Sequence, residues 1–398
     1  MYEACSPPRS LDDSHYLYLP TRPLDYRETG GGGRGLSSSC NRSSSEESQL
    51  IMEAATNRRE SYFNFVKKEH LKLDDLKVRK RAEGKGRGYL FKNGIPEYPR
   101  PEIHVSRLKH DTDYTGLIGI KESGGFRDPF GKGLVWWGLS VGGEEVRSAE
   151  QRLLQEAYPD RTEQQVQDQQ SFLGEFASSP AFKRSSRLGS YRFTFPLQEL
   201  LEAYKKQFCG GEQPVMRVYE THLYKQEVMY AVLVHSPANQ EQFSEYPLLT
   251  DDPDAVCCYR DGRFTWRPEA MCETYSYQLV RNPETQKMEA QPYTPRMPGF
   301  GPEFYVWDNV GIALHVEEKL LEFGPDRLRE KLKFCEGGAG SCRSVEFEDF
   351  PSAEATVRRL WPEDPSPLQR DEDPSPLQRD EDPSPLERDE DPSPLENV

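Results

Sequence analysis

The sequence predicts an α+β protein, an antiparallel strand cluster with flanking helices set between disordered N- and C-terminal tails. Three observations lead there. Aromatic residues concentrate between Tyr89 and Trp307, so the material for a core lies in the middle of the 398-residue chain. Within that middle, apolar residues at three- and four-residue steps alternate with strand-like runs. The ends carry serine and glycine runs and a proline-rich repeat, with too little apolar surface to offset the entropy of ordering.

Taken in order, residues 1–58 are Ser-, Gly- and Arg-rich and predict a disordered tail. Residues 59–92 read as a basic amphipathic helix and linker: Phe63, Val66, His70, Leu73 and Leu76 share one stripe, which Gly84, Gly86 and Gly88 end. The globular body is expected over 93–335. It opens with a short strand ending at His110. A helix follows, capped by Thr112 or Asp113, carrying Leu117, Ile118 and Ile120, and broken at Gly124 and Gly125. An apolar run at 134–139 predicts the next strand. Val146, Ala149, Leu153 and Ala157 mark a helix beginning after Gly143, with Glu144 and Glu145 in the first turn, where a helix N-terminus favours anions.

Further on, 191–195 alternates as a strand, and Leu197, Leu200, Leu201, Tyr204 and Phe208 form a helical stripe stopped by Gly210 and Gly211. Residues 215–223 and 228–234 predict a strand pair. Asp261-Gly262 between 255–259 and 264–266 is a strong hairpin signal, and a strand at 271–280 follows. Residues 307–323 and 326–334 read as two helices around Gly324-Pro325. A linker is expected over 336–361.

The remainder, 362–398, holds four nine-residue acidic units: EDPSPLQRD twice, then EDPSPLERD and EDPSPLENV. These units carry ten of the sixteen net negative charges, so the acidity belongs to the tail more than to the body. Two prolines per unit disfavour helix, and one leucine per unit cannot offset ordering; an extended, solvated tail is expected. Ser366, Ser375, Ser384 and Ser393 each precede proline, a pattern suited to proline-directed phosphorylation. A tolerated repeat expansion is the alternative.

Composition narrows the function classes. The first twenty residues lack the apolar core of a signal peptide, and no run reaches the ~18 apolar residues of a membrane span. Eight cysteines without a regular framework suit a reducing compartment, so a cytoplasmic or nuclear protein is expected. Residues 77–87 are basic, yet no RNA-stacking motif accompanies them and the chain is acidic, which argues against a nucleic-acid partner. Cys257, Cys258 and Cys272 with His222 or His235 lack zinc spacing, so no metal is expected. There is no P-loop, nucleophile elbow or dinucleotide fingerprint.

One constellation stands out: His110-Asp111-Thr112 at a strand end, Gly125-Phe126-Arg127 after a helix, and Gly131-Lys132-Gly133-Leu134-Val135-Trp136-Trp137 leading into a strand. With Pro268-Glu269 after the later hairpin, this order resembles the poly-ADP-ribose polymerase-like branch of the ADP-ribosyltransferase fold, over roughly residues 100–280. The resemblance implies an NAD site. His110, Asp111 and Thr112 would hold the ribose side, Trp136 or Trp137 would stack on nicotinamide, and Glu269 would be the catalytic carboxylate, with Glu273 a rival. Such chemistry needs those groups. Nicotinamide leaves through an oxocarbenium-like state that a carboxylate stabilises, an imidazole orients the sugar hydroxyls, and an aromatic face stacks on the ring. Asp111 stands where the family has glycine, and adds bulk and charge. Two adjacent tryptophans on a strand face opposite ways, so at least one is expected in the core.

These readings converge on an intracellular binding or pseudoenzyme protein with a divergent ADP-ribosyltransferase-like domain, NAD as the implied cofactor, and protein partners met through the tails. The resemblance also implies a role in innate antiviral defence. The alternatives are an active NAD-dependent mono-ADP-ribosyltransferase and an interaction scaffold without a small-molecule site.

Overall fold

The computed structural model describes residues 52–56, 62–67, 101–128, 131–167, 169, 171–173, 179–224, 227–249, 255–268, 277–292, 308–338 and 345–371. Their elements are β1 (Met52–Thr56), β2 (Tyr62–Lys67), β3 (Ile103–Val105), β4 (Arg107–Thr112), α1 (Tyr114–Ser123), β5 (Gly125–Phe126), β6 (Leu134–Ser140), α2 (Gly143–Ala157), α3 (Glu163–Gln167), β7 (Tyr191–Pro196) and α4 (Leu197–Phe208). They continue with β8 (Val215–Tyr224), β9 (Glu227–His235), β10 (Cys257–Arg260), β11 (Arg263–Trp266), β12 (Tyr277–Arg281), β13 (Met288–Pro292), β14 (Asp308–His315), β15 (Leu321–Glu322), α5 (Pro325–Lys331), β16 (Leu332–Phe334), α6 (Phe350–Leu360) and β17 (Gln369–Arg370).

The α+β class is as predicted. A ten-stranded sheet runs β1-β2-β8-β9-β14-β6-β4-β7-β16-β17, and β10-β11-β3 form a separate three-stranded sheet. Pairing is antiparallel throughout the large sheet except β9 with β14 and β16 with β17. Among the described residues no helix is long and apolar enough to cross a membrane.

Local chemistry explains most of the elements. Asp113 caps α1 by accepting from Gly116 N at 2.9 Å, and Gly124 closes the helix in the left-handed region at φ 76°. Gly125 follows because a Cβ there would collide with the Leu321 carbonyl where β5 meets β15. Glu145 reaches back to Gly142 N at 3.0 Å, half of a capping box that starts α2. Asp261 and Gly262 both take positive φ, 51° and 75°, as the tight β10–β11 turn requires.

The strand pattern gives the sheet two packed faces. Leu108, Trp137, Phe193, Phe195, Val232, Val234, Ile312 and Leu314 enter the main core. Leu134, Leu233 and Ala313 join a smaller cluster on the opposite face, against Trp136, Phe243 and Tyr246.

Several expectations need correction. Residues 307–323 do not form a helix: β14 occupies Asp308–His315, and Val310, Ile312, Ala313 and Leu314 are all essentially buried. A central strand covered on both faces reads as a continuous apolar run, which mimics a buried helix. The helix expected at 326–334 ends at Lys331, and Leu332–Phe334 pairs with β7 as β16. Residues 62–67, assigned to the amphipathic helix, form β2 on β8, and Met52–Thr56, placed in the disordered tail, forms β1. Aromatic and β-branched residues at 62, 63, 65 and 66 suit a strand better than a helix. The rest of that helix, 68–92, lies outside the described residues.

The linker expected at 336–361 contains α6, capped by Asp349 accepting from Ser352 N at 2.8 Å. The tail expected to be solvated from 362 onward begins with a docked unit instead. Leu368 is 3% exposed, and Gln369–Arg370 extends the sheet. Units two to four lie outside the described residues.

Candidate functional site

β4 carries the residues singled out by sequence, and its alternation sends them to two different places. On one side His110 lies edge-on to Phe126, with ring centroids 5.1 Å apart, and 5.4 Å from Trp137. Phe126 is 1% and Trp137 0% exposed, and both meet Phe195. His110 Nδ1–H donates to the Trp136 carbonyl at 2.9 Å. Burial lowers the imidazole pKa and outweighs the opposing pull of that carbonyl and of Asp111, so the ring is neutral at pH 7. The Trp137 indole N–H finds no acceptor among the described residues.

On the other side Asp111 faces Arg192, directly across β4 and β7. The pair is bidentate, with Nε to Oδ1 at 2.6 Å and Nη2 to Oδ2 at 2.8 Å. Arg192, only 1% exposed, also donates through Nη1 to Asp371 Oδ2 at 2.5 Å and to the Arg184 carbonyl at 2.9 Å. Burial opposes charge on both carboxyls, yet Arg192 holds Asp111 and Asp371 below the usual carboxylate value. Beside them Lys109 Nζ donates to the Pro180 carbonyl at 2.6 Å and the Lys183 carbonyl at 3.0 Å. Burial first, then Arg192, lower its pKa to about 7. Burial pushes the neighbouring Cys335 thiol up to about 12.

The structure thus brings together two of the predicted residues, His110 and Trp137. Trp136 points to the opposite face and packs near Tyr219, with ring centroids 6.4 Å apart. Asp111 belongs to the charged cluster. Thr112 is buried where β4 meets α1, its hydroxyl against Gly116. Glu269 and Glu273 lie outside the described residues. The strand before them, β11, ends in fully buried Trp266 and belongs to the three-stranded sheet, whereas β4 and β6 belong to the ten-stranded one.

Sequence reasoning passed over Arg192, Lys109 and Asp371. The available signal was a cation set inside an otherwise apolar strand, Arg192 in YRFTF and Lys109 beside Leu108, since a buried cation demands an anionic or carbonyl partner. Among the described residues, no group of three His, Cys, Asp or Glu side chains is arranged to hold a metal ion. Compared with family models, curated proteins and solved structures, the chain matches none.

Proposed function

We propose that this chain is a non-catalytic binding protein of the cytoplasm or nucleus, which meets a protein partner and does not transfer ADP-ribose. The observation that supports this reading best is the commitment of the would-be NAD residues to internal contacts. His110 is wedged among Phe126, Trp137 and the Trp136 carbonyl, and both Asp111 oxygens are bound by Arg192. A ribose hydroxyl or nicotinamide ring would have to displace them, at the cost of unpairing a buried charge. The test is transfer of label from NAD to the full chain or to lysate proteins. No transfer is expected. Transfer abolished by Glu269→Gln would replace this reading with that of an active mono-ADP-ribosyltransferase.

A second reading, a pseudoenzyme that binds NAD or ADP-ribose without turnover, draws on one specific observation. His110 lies 5.4 Å from Trp137, one of the two tryptophans that the family resemblance offers, and the indole N–H has no acceptor among the described residues. A ligand-dependent rise in melting temperature, lost in Trp137→Phe, would favour it; a flat titration to millimolar ligand would remove it. The antiviral role implied by the same resemblance goes with either reading. Unchanged virus yield in cells lacking the chain would remove it.

A further inference from the structure

The first nine-residue unit, 363–371, does not touch the body evenly. Its second residue, Asp364, lies 3.5 Å from Arg329, a buried cation of α5. The main-chain carbonyl of the fourth, Ser366, accepts from the same guanidinium. The sixth, Leu368, enters the main core. The seventh and eighth pair in parallel with Lys333 and Phe334, adding a strand to the sheet edge. The eighth, Arg370, lies over the Phe350 ring at 4.2 Å and donates to Glu336 at 2.9 Å. The ninth, Asp371, donates its N–H to the Phe334 carbonyl at 2.9 Å, and its carboxylate meets Arg192 at 2.5 Å and Lys333 at 3.4 Å. Glu363, Pro365, Ser366, Pro367 and Gln369 are exposed, and so is Arg370, which nevertheless makes its ring and Glu336 contacts. The body therefore reads four side chains of the unit: the second, sixth, eighth and ninth.

Unit two, 372–380, repeats unit one at all nine positions and supplies Asp373, Leu377, Arg379 and Asp380. Unit three keeps all four, as Asp382, Leu386, Arg388 and Asp389; its one change, Glu387, falls at the position where Gln369 is exposed. Unit four keeps Asp391 and Leu395 but has Asn397 and Val398 where the arginine and aspartate belong.

We propose that the β16 edge with Arg192, Arg329 and Phe350 is a recognition site for the repeat unit itself, and that units two and three occupy it within the same chain when unit one is released. Every contact made by unit one is available to unit two, so the difference lies in the connection. α6 fixes the point of entry at Trp361, whose indole donates to the Pro325 carbonyl at 3.2 Å. Seating unit two lengthens the intervening loop by one nine-residue unit, a disadvantage of roughly four-fold by the three-halves-power law of loop closure. Unit one holds the slot for most of the time, and the next two are its reserves. The arrangement keeps the buried Arg192 guanidinium supplied with a second carboxylate whichever unit is seated.

The test uses the full chain carrying Leu368→Ala and Asp371→Ala, compared with chains carrying the equivalent pair in units one and two, and in units one to three. Amide hydrogen exchange reads which unit is seated. With unit one altered, protection at residue 371 is expected to move to residue 380; with units one and two altered, it moves to residue 389. The melting temperature should fall little until the third pair is changed. The proposal is overturned if the unit-one variant alone loses as much stability as the three-unit variant with no new protection, which would make the slot specific to one segment. It is also overturned if all three variants melt like the unaltered chain. Rescue that depends on protein concentration would assign the second occupant to another copy and contradict exchange within one chain.

Discussion

The two faces of β4 solve the same problem in opposite ways. On one face the partly buried His110 packs against rings, and its Nδ1–H is met by a neighbouring backbone carbonyl. On the other, one residue along, Asp111 belongs to a charged line that crosses β7 to Arg192 and ends on Asp371 of the tail. The ring face depends on volume and shape, so its energetics are those of cavities. The charged face depends on pairing, so removing Arg192 takes the main counter-charge from two largely covered carboxylates. The ring face is built entirely from the body, whereas the charged face is incomplete without the tail.

The largest expected effect breaks the charged face. Arg192→Met leaves two largely covered carboxylates without the guanidinium that joins them, Asp371 keeping only Lys333 among the described residues, and should cost roughly 3–5 kcal/mol in urea unfolding. Adding Asp111→Asn to that variant should recover part of the loss, because the pair is then removed from both sides. A loss no larger than that of an exposed arginine such as Arg358 would show that the charged line contributes little.

Volume tests the ring face. Trp137→Phe removes part of a side chain with no exposure and should cost about 1–3 kcal/mol. Trp136→Phe, on the opposite side and half-buried, should cost less than about 1 kcal/mol, and equal losses at both positions would contradict the two-faced assignment.

A slope with pH tests the charged face in a different way. Lys109 has a folded-state pKa of about 7, below its ordinary 10.5, so between those values the unfolded chain binds more protons than the folded one. Stability contributed by this group therefore rises with pH across that window, by up to about 1.4 kcal/mol per pH unit. Lys109→Met should flatten the rise. The two carboxyls give a rise of the same sign in a lower window. Asp111 and Asp371 are held below their ordinary 3.8, so their contribution is complete above that value and is lost as the pH falls below it.

Much of this architecture is legible in the sequence where local chemistry decides it. Asp113, Gly124, Glu145 and Asp261-Gly262 act as cap, stop, capping box and turn, and the elements beside them form where expected. Long-range pairing decides the rest. β14 is a strand because it lies between β9 and β6, which its own apolar run cannot convey. Leu368 is a single leucine among prolines and charges, and only the waiting edge of β16 makes its burial possible. At the candidate site the sequence set His110 beside one of two tryptophans, and the structure makes it Trp137. Sequence reasoning missed Arg192, because the partner that reveals the residue's importance, Asp371, lies 179 positions away.

The imidazole of His110, partly buried against Phe126 and Trp137, is proposed to serve packing and not ligand binding. Nitrogen NMR of the 15N-histidine-labelled chain tests this assignment most directly. The predicted result is a neutral, Nδ1-protonated ring that does not titrate near its ordinary 6.5 and whose resonances stay fixed as NAD is added. An imidazole that takes up a proton near that value, or shifts with NAD, would contradict it.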